Sequence, residues 1–258
     1  MTPPNLNPAE FAAFALILIR VSVLVFLAPI FGSEMVPVQL KAALALVFAL
    51  ILTPMVKVDP GLFPTSLLGF VPLILGELFI GLSISLILRL ILEGVQLAGQ
   101  YIGFQMGFAI VNVIDPQTGN QSSVLSQFAY ILALIIFLAV NGHYIVIRAL
   151  MQSFDMVPVG QPLLNTIVFN NVSEAMAEMF IIAIKIGAPA LVVLFGVKVA
   201  MGIVAKTVPQ LNVLFVGMPM YIIVGLLVFG FSLEFFTTLL GRAVARAGDV
   251  VTIVLRAM

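Results

Sequence analysis

The chain contains no cysteine and no tryptophan, a single histidine, and charged residues at only 9% of positions. Each scarcity excludes something. Without cysteine there is no disulfide, no thiol nucleophile and no Cys-based metal site, while either face of a membrane stays permissible. Without tryptophan, anchoring at a membrane interface falls to Tyr101, Tyr130, Tyr144 and Tyr221 and to Lys or Arg. The lone histidine, His143, rules out a multi-histidine metal site, and a serine protease would have to use it as its base. Neither a Gly-x-Ser-x-Gly elbow nor a phosphate loop occurs, so ATP hydrolysis by this chain is not expected. The aspartates Asp59, Asp115, Asp155 and Asp249 fall in predicted loops or the tail, which disfavours an aspartyl dyad. Eleven acids balance eleven Lys and Arg, leaving no basic patch for nucleic acid. The expectation is a protein that is no enzyme, needs no cofactor or metal, and binds no nucleic acid.

What the chain does have is grease. Hydrophobic residues make up 62% and mean hydropathy is +1.26, whereas a soluble domain carries about 25% charged residues. The reading is an all-α, multi-pass membrane protein of about six long, partly kinked helices. A hydrocarbon core of about 30 Å needs about 20 apolar residues per crossing. The N-terminus, Met-Thr-Pro-Pro-Asn, has no cationic start and no small-residue cleavage site after the first apolar run, so that run is expected to be retained.

The first predicted span is Phe11 to Phe31, carrying Arg20 and stopped by Pro29 and Gly32. The second is about Leu40 to Met55, and the third Leu67 to Leu92. A less apolar helix, Glu93 to Val113, carries Gly99, Gly103 and Gly107 four residues apart, hence on one face, where another backbone can approach closely. A polar, nearly uncharged turn, Asp115 to Ser123, precedes the span Val124 to Leu150. Next comes a helix expected to start at Ser173, with Glu174 and Glu178 at the positive end of its dipole, and to run to Lys206 with a kink at Pro189. The turn Thr207 to Asn212 leads to the last span, Val213 to Leu240, and a tail with Arg242, Arg246 and Arg256. The positive-inside rule does not orient the chain, because Lys198 and Lys206 lie one crossing from the basic tail.

Isolated charges in apolar surroundings, namely Arg20, Glu77, Arg89, Lys185, Lys198 and Glu234, must face protein or water, since each costs about 2.5 to 3.5 kcal/mol at the centre of an inserted helix. Pairing of Arg20 with Glu77 is the simplest way to meet that cost. His143 is expected to donate to a neighbouring carbonyl.

Several short patterns in order resemble one family. They are Arg20 with Ala28-Pro29-Ile30-Phe31-Gly32 and Val36-Pro37; Gln105-Met106-Gly107-Phe108 with Asp115-Pro116; Asn141-Gly142-His143; Ser153-Phe154 with Pro158-x-Gly160; and Pro209-Gln210-x-Asn212 with Gly217-x-Pro219. Together they are similar to the FliR family of flagellar type III export-gate proteins, called SctT in virulence secretion, and the Asn-Gly-His element leans toward the flagellar branch. The resemblance implies a non-enzymatic subunit of a protein-conducting pore in the bacterial inner (cytoplasmic) membrane, at the flagellar basal body. It implies a FliP-like part over residues 1–172 and a FliQ-like hairpin and tail over 173–258, the hairpin proper being Glu174 to Leu240. The implied partners are FliP-like and FliQ-like subunits, FlhB-like and FlhA-like export proteins, unfolded protein substrates and membrane lipid.

In that family a loop fills the pore lumen. By motif position it corresponds here to Met106, Gly107, Phe108, Ile110, Val111, Ile114, Asp115, Pro116 and Gly119, with apolar residues forming a dry seal and the glycines permitting the bend. Arg20, Glu77, Gly99, Gly103, Gly107 and Lys185 are assigned to helix or subunit packing, and Pro209, Gln210 and Asn212 to the hairpin turn. A virulence-system gate subunit is the alternative reading. A small secondary transporter is a more distant one, because it should show paired broken helices and only one clear Pro break, Pro189, is evident.

Overall fold

The computed structural model describes residues 8–33, 36–56, 58, 63–64, 66–108, 123–160, 166–208, 210 and 212–257. Among these residues all regular structure is helical: α1 (Pro8–Leu27), α2 (Val38–Leu52), α3 (Leu67–Met106), α4 (Val124–Ala139), α5 (Gly142–Met156), α6 (Thr166–Thr207), α7 (Val213–Phe231) and α8 (Leu233–Ala257). A chain this apolar must satisfy its backbone polar groups within each segment, and helices do so without partners.

Several element boundaries differ from those expected. The third span and the glycine-bearing helix are one 40-residue helix, α3. Gly94 does not interrupt it, because the glycine provides room for a neighbour: a methyl group there would lie 2.7 Å from the Met179 carbonyl oxygen. Val124 to Leu150 is two helices. Asn141 adopts the left-handed conformation, φ 59° and ψ 32°, which asparagine tolerates better than most residues. α6 begins at Thr166, upstream of Ser173, so Glu174 and Glu178 lie beyond its first turn and do not serve its dipole. The last apolar run breaks at Ser232, whose hydroxyl donates to the Phe229 carbonyl at 2.7 Å and whose own carbonyl accepts from the Phe236 amide at 2.9 Å. α8 then continues well past Leu240. Internal prolines occur in three helices, at Pro72, Pro189 and Pro219, so Pro189 is not a singular break, and α6 runs through it without ending.

The crossing count also changes. Among the described residues three helices, within α1, α3 and α6, are long and apolar enough to cross a membrane, or up to five if the pairs α4 with α5 and α7 with α8 each count as one span. The six expected crossings included α2, whose 15 residues reach only about 22 Å, short of a hydrocarbon core.

Two compact units divide the chain. Unit one comprises Met1–Leu90, Asn141–Met176 and Val244–Met258. In it α1 packs on α2. α1 also meets α3 at Gly81, where an added methyl would lie 3.0 Å from the Arg20 carbonyl oxygen. The end of α8 lies on α5, with Thr252 donating to Gln152 at 3.5 Å. Unit two comprises Ile91–Val140 and Ala177–Ala243. There the second half of α3 is flanked by α4, α6 and α7, with Phe128 of α4 and Phe229 of α7 in a tilted ring pair at 6.3 Å.

Candidate functional site

Two clusters collect the chain's chemically distinctive residues, one in each unit. In unit one, Arg20 of α1 is fully buried and Glu77 of α3 is 1% exposed. Arg20 Nε donates to Glu77 Oε2 at 2.5 Å, the pairing expected from the sequence. Its Nη1 donates to the Ser153 and Val157 carbonyls at 2.8 and 3.1 Å and toward the Ser153 hydroxyl at 3.3 Å. The other carboxylate oxygen of Glu77 accepts the Gly160 amide at 3.1 Å. Gly160 has φ +88°, a conformation that favours glycine. Arg20 Nη2 has no hydrogen-bond partner among the described residues, and the guanidinium carbon lies 4.4 Å from the Phe154 ring centroid, a cation–π contact.

This network fastens α1, α3, the end of α5 and the turn at 157–160 to one another. A buried ion pair of this kind contributes specificity of arrangement more than net stability, because desolvation offsets much of the attraction. Lys41 of α2 is 7% exposed and donates to the Gly32 carbonyl at 3.1 Å. It did not stand out in the sequence, where a lysine near a helix start reads as solvated. His143 does not make the expected bond through Nδ1, which is buried without a partner among the described residues. Its ring lies 4.4 Å from that of Tyr144.

In unit two the end of α3 is built around glycine. The Gly107 amide donates to the Phe104 carbonyl at 3.2 Å and the Phe108 amide to that of Gly103 at 3.1 Å, while Gly107 has φ +93°. These two bonds and the left-handed glycine form a Schellman C-cap, accompanied here by the approach of the Phe108 ring to Gly103. The helix therefore stops at Met106 rather than at Val113. A sequence reader could have found this stop, because a glycine near a helix end followed by a hydrophobic residue is the motif's signature.

The glycine ridge is filled from inside the chain. A methyl on Gly99 would lie 2.8 Å from Ser126 Cα and 3.0 Å from Ala129 Cβ, and one on Gly103 would lie 2.9 Å from Ser123 Cβ. Ser123 in turn caps α4, accepting the Ser126 amide on its hydroxyl at 3.1 Å. The end of α3 and the cap of α4 thus meet at one point. Met106 is fully buried, with Gly225 of α7 making room for it: a methyl there would come within 2.8 Å of the Met106 sulfur. Met106 anchors α3 instead of offering a free wall. Lys198 of α6 donates to Gln105 Oε1 and lies 5.8 Å from the Tyr221 ring centroid.

Ile110, Val111, Ile114, Asp115, Pro116, Gly119 and Pro209 lie outside the described residues. Gln210 and Asn212 are exposed in the connection between α6 and α7, and the Asn212 carbonyl accepts the Phe215 amide at 3.0 Å, starting α7. Lys185, on α6, is exposed.

Against this geometry, comparison with known proteins is specific. The family model described as bacterial export proteins, family 1, matches residues 11–247. A protein of Bacillus subtilis (strain 168) called flagellar biosynthetic protein FliR is 39% identical over 220 residues, covering 83% of each chain. A protein of the same name from Aquifex aeolicus (strain VF5) is 31% identical, covering 84% of each, and one from Escherichia coli (strain K12) is 28% identical, covering 81% of this chain and 79% of its own.

Proposed function

The chain belongs to the bacterial export proteins, family 1, the FliR family, and from that premise we propose that it is a non-enzymatic core subunit of the flagellar protein export gate. That it is a membrane protein of the flagellar export apparatus, serving protein transport and flagellum biogenesis, follows from the family together with the long apolar helices. The finer reading is that it helps form and seal a pore in the inner membrane through which unfolded flagellar subunits pass. FliP-like and FliQ-like subunits assemble with it, and FlhB-like and FlhA-like proteins dock on the assembly. Residues 1–172 act as the FliP-like part and 173–258 as the FliQ-like hairpin and tail.

The observation that carries this reading is the pinned stem. α3 ends at a glycine-made cap, α4 begins at a serine cap, and the two caps meet where Gly103 touches Ser123. The sequence between the two caps, apolar and then polar, is suited to block a conduit that must stay closed to ions when idle, yet grip no substrate. Because Met106 is committed to the interior, the seal falls to Phe108, Ile110, Val111 and Ile114, and the turn at Asp115, Pro116 and Gly119 bends with it. Opening is a shift between closed and open populations, driven by whatever binds the open arrangement more tightly.

The test is deletion of Ile110 to Ser122 in the assembled complex, with ion conductance measured across the membrane. Increased leakage with assembly intact is expected. Unchanged conductance in an intact complex removes the plug assignment. Activity of the isolated chain as a solute carrier in liposomes would end the gate reading altogether.

A further inference from the structure

Two non-glycine residues among those described have positive φ, Asn141 at 59° and Ile30 at 76°. Asparagine tolerates that region, whereas a β-branched side chain does not. Across Ile30 the Phe31 amide donates to the Pro29 carbonyl at 3.0 Å. The chain leaving α1 therefore makes a γ-turn with a positive central φ, the rare and strained form. It folds tightly onto the end of α1: the Gly32 amide returns to the Ala28 carbonyl at 2.8 Å, and a methyl on Gly32 would lie 2.6 Å from the Phe26 carbonyl oxygen.

α2 brings a second cost to the same turn. Its first turn holds no acid, and its fourth residue is Lys41, a cation near the positive end of the helix dipole. Lys41 is buried, and its ammonium donates to the Gly32 carbonyl, a neutral acceptor that offsets only part of the lost hydration. The other buried residues of α2 are Ala45, Ala49 and Leu52, two of which have little apolar area to contribute. Leu46, Val47, Leu50 and Ile51 are exposed. α1, by contrast, is fastened through Arg20 to Glu77 and Ser153.

We infer that α2 is a hinged arm, poised to swing away from α1 about the turn Pro29 to Gly32. One motion removes both costs, because Ile30 returns to negative φ and the Lys41 ammonium regains polar surroundings. A strained backbone persists only where its surroundings over-determine it, and here they are a narrow stripe of mostly small side chains. The two positions therefore lie close in free energy, with the open one populated at about 0.1 to 10%. Every residue of the device belongs to unit one, and it does not rest on the gate reading, so a chain with no part in export could still show it.

Because the chain has no cysteine, one introduced thiol reports the motion. Ala49 is fully buried, while its neighbour Leu50, at nearly the same depth, is 57% exposed. Ala49 lies about 12 Å along α2 from Lys41, so reaction there requires the helix to leave and not merely the turn to fray. The full-length chain carrying Ala49→Cys or Leu50→Cys is solubilised in detergent and treated with N-ethylmaleimide, and the ratio of the two rates gives the open fraction.

We expect Ala49→Cys to react at about 0.001 to 0.1 of the Leu50→Cys rate. Adding Ile30→Gly or Lys41→Met should lower that ratio about tenfold, because each removes one cost of the closed position. A Lys41 that simply ties the two helices together predicts a higher ratio for Lys41→Met, and a passive connection predicts a higher one for the more flexible Ile30→Gly. An unchanged or raised ratio in either variant overturns the arm, as does an Ala49→Cys that stays unmodified after Leu50→Cys has reacted fully and ten thousand times longer has passed. Should Ala49→Cys reduce the yield of chain, Ala45→Cys against Leu46→Cys, 2% and 45% exposed at these positions, is scored by the same criteria.

Discussion

Arg20 and Glu77, 57 residues apart in sequence, share a buried hydrogen bond in which Glu77 uses only one oxygen, leaving the other for the Gly160 amide. The carboxylate therefore joins two things at once: the cation of α1 and the turn after α5. Removing one charged partner leaves the other charge in an apolar interior, whereas removing both leaves none, and that asymmetry makes the pair testable.

Arg20→Met or Glu77→Leu alone should each destabilise the chain by about 3 to 5 kcal/mol, because the remaining charge is buried without its partner. The double variant should recover a large part of that loss, since no charge then remains buried. A double-mutant cycle on thermal unfolding of the detergent-solubilised chain reads the coupling. Losses that simply add would show that the pair does not act as a unit.

Gly99→Leu and Gly103→Leu should disrupt the chain itself before any assembly, because atoms of α4, for Gly99, and of its cap residue Ser123, for Gly103, lie within 3 Å of where a side chain would begin. Overpacking of this kind costs about 1 to 3 kcal/mol or more. Gly196, with nothing within 4 Å, is the internal control, and Gly196→Ala should hold or raise stability by up to about 1 kcal/mol. Chain levels in a strain without the other gate components distinguish this from a purely intersubunit ridge, which would leave all three variants equally abundant.

At Gly107 the backbone conformation is the constraint, since φ is +93° and the nearest side-chain atom lies 3.8 Å away. Gly107→Ala should cost about 1 to 2 kcal/mol from the left-handed geometry alone. The visible effect should be local: faster proteolysis in the 109–122 segment with α3 intact. Unaltered cleavage rates there would mean that the cap does not hold the segment's base.

Asn141 presents the complementary case, a non-glycine residue at φ 59° between α4 and α5. Asn141→Gly should leave unfolding temperature almost unchanged, while Asn141→Val should lower stability by about 1 to 2 kcal/mol because a branched Cβ clashes in that conformation. Equal behaviour of the two would show that the bend is imposed by packing and not by residue choice.

Much of this architecture could be read along the chain. The helical class followed from apolar composition, since a polypeptide without water around it must bond its own backbone. The stop of α3 is encoded by Gly107, but the mostly apolar residues Phe108 to Ile114 follow it, so hydropathy alone extends the expected helix to Val113. Asn141-Gly142 is a turn dipeptide, but the flanking residues are continuously hydrophobic, so the pattern reads as one span. An apolar run alone does not reveal how far its helix extends, and α2 is too short to cross a hydrocarbon core.

Composition and helix content are local properties, set by what each residue permits its own backbone to do, and the sequence alone was enough for them. The choice of partners belonged to the tertiary structure. That Gly99 and Gly103 receive α4, that Met106 turns inward beneath Gly225, and that Glu77 divides itself between Arg20 and Gly160 depend on segments far apart in the chain arriving together. Any apolar helix could cover any other by hydrophobicity alone, so only shape at the glycines and the need to satisfy buried charge select which ones meet.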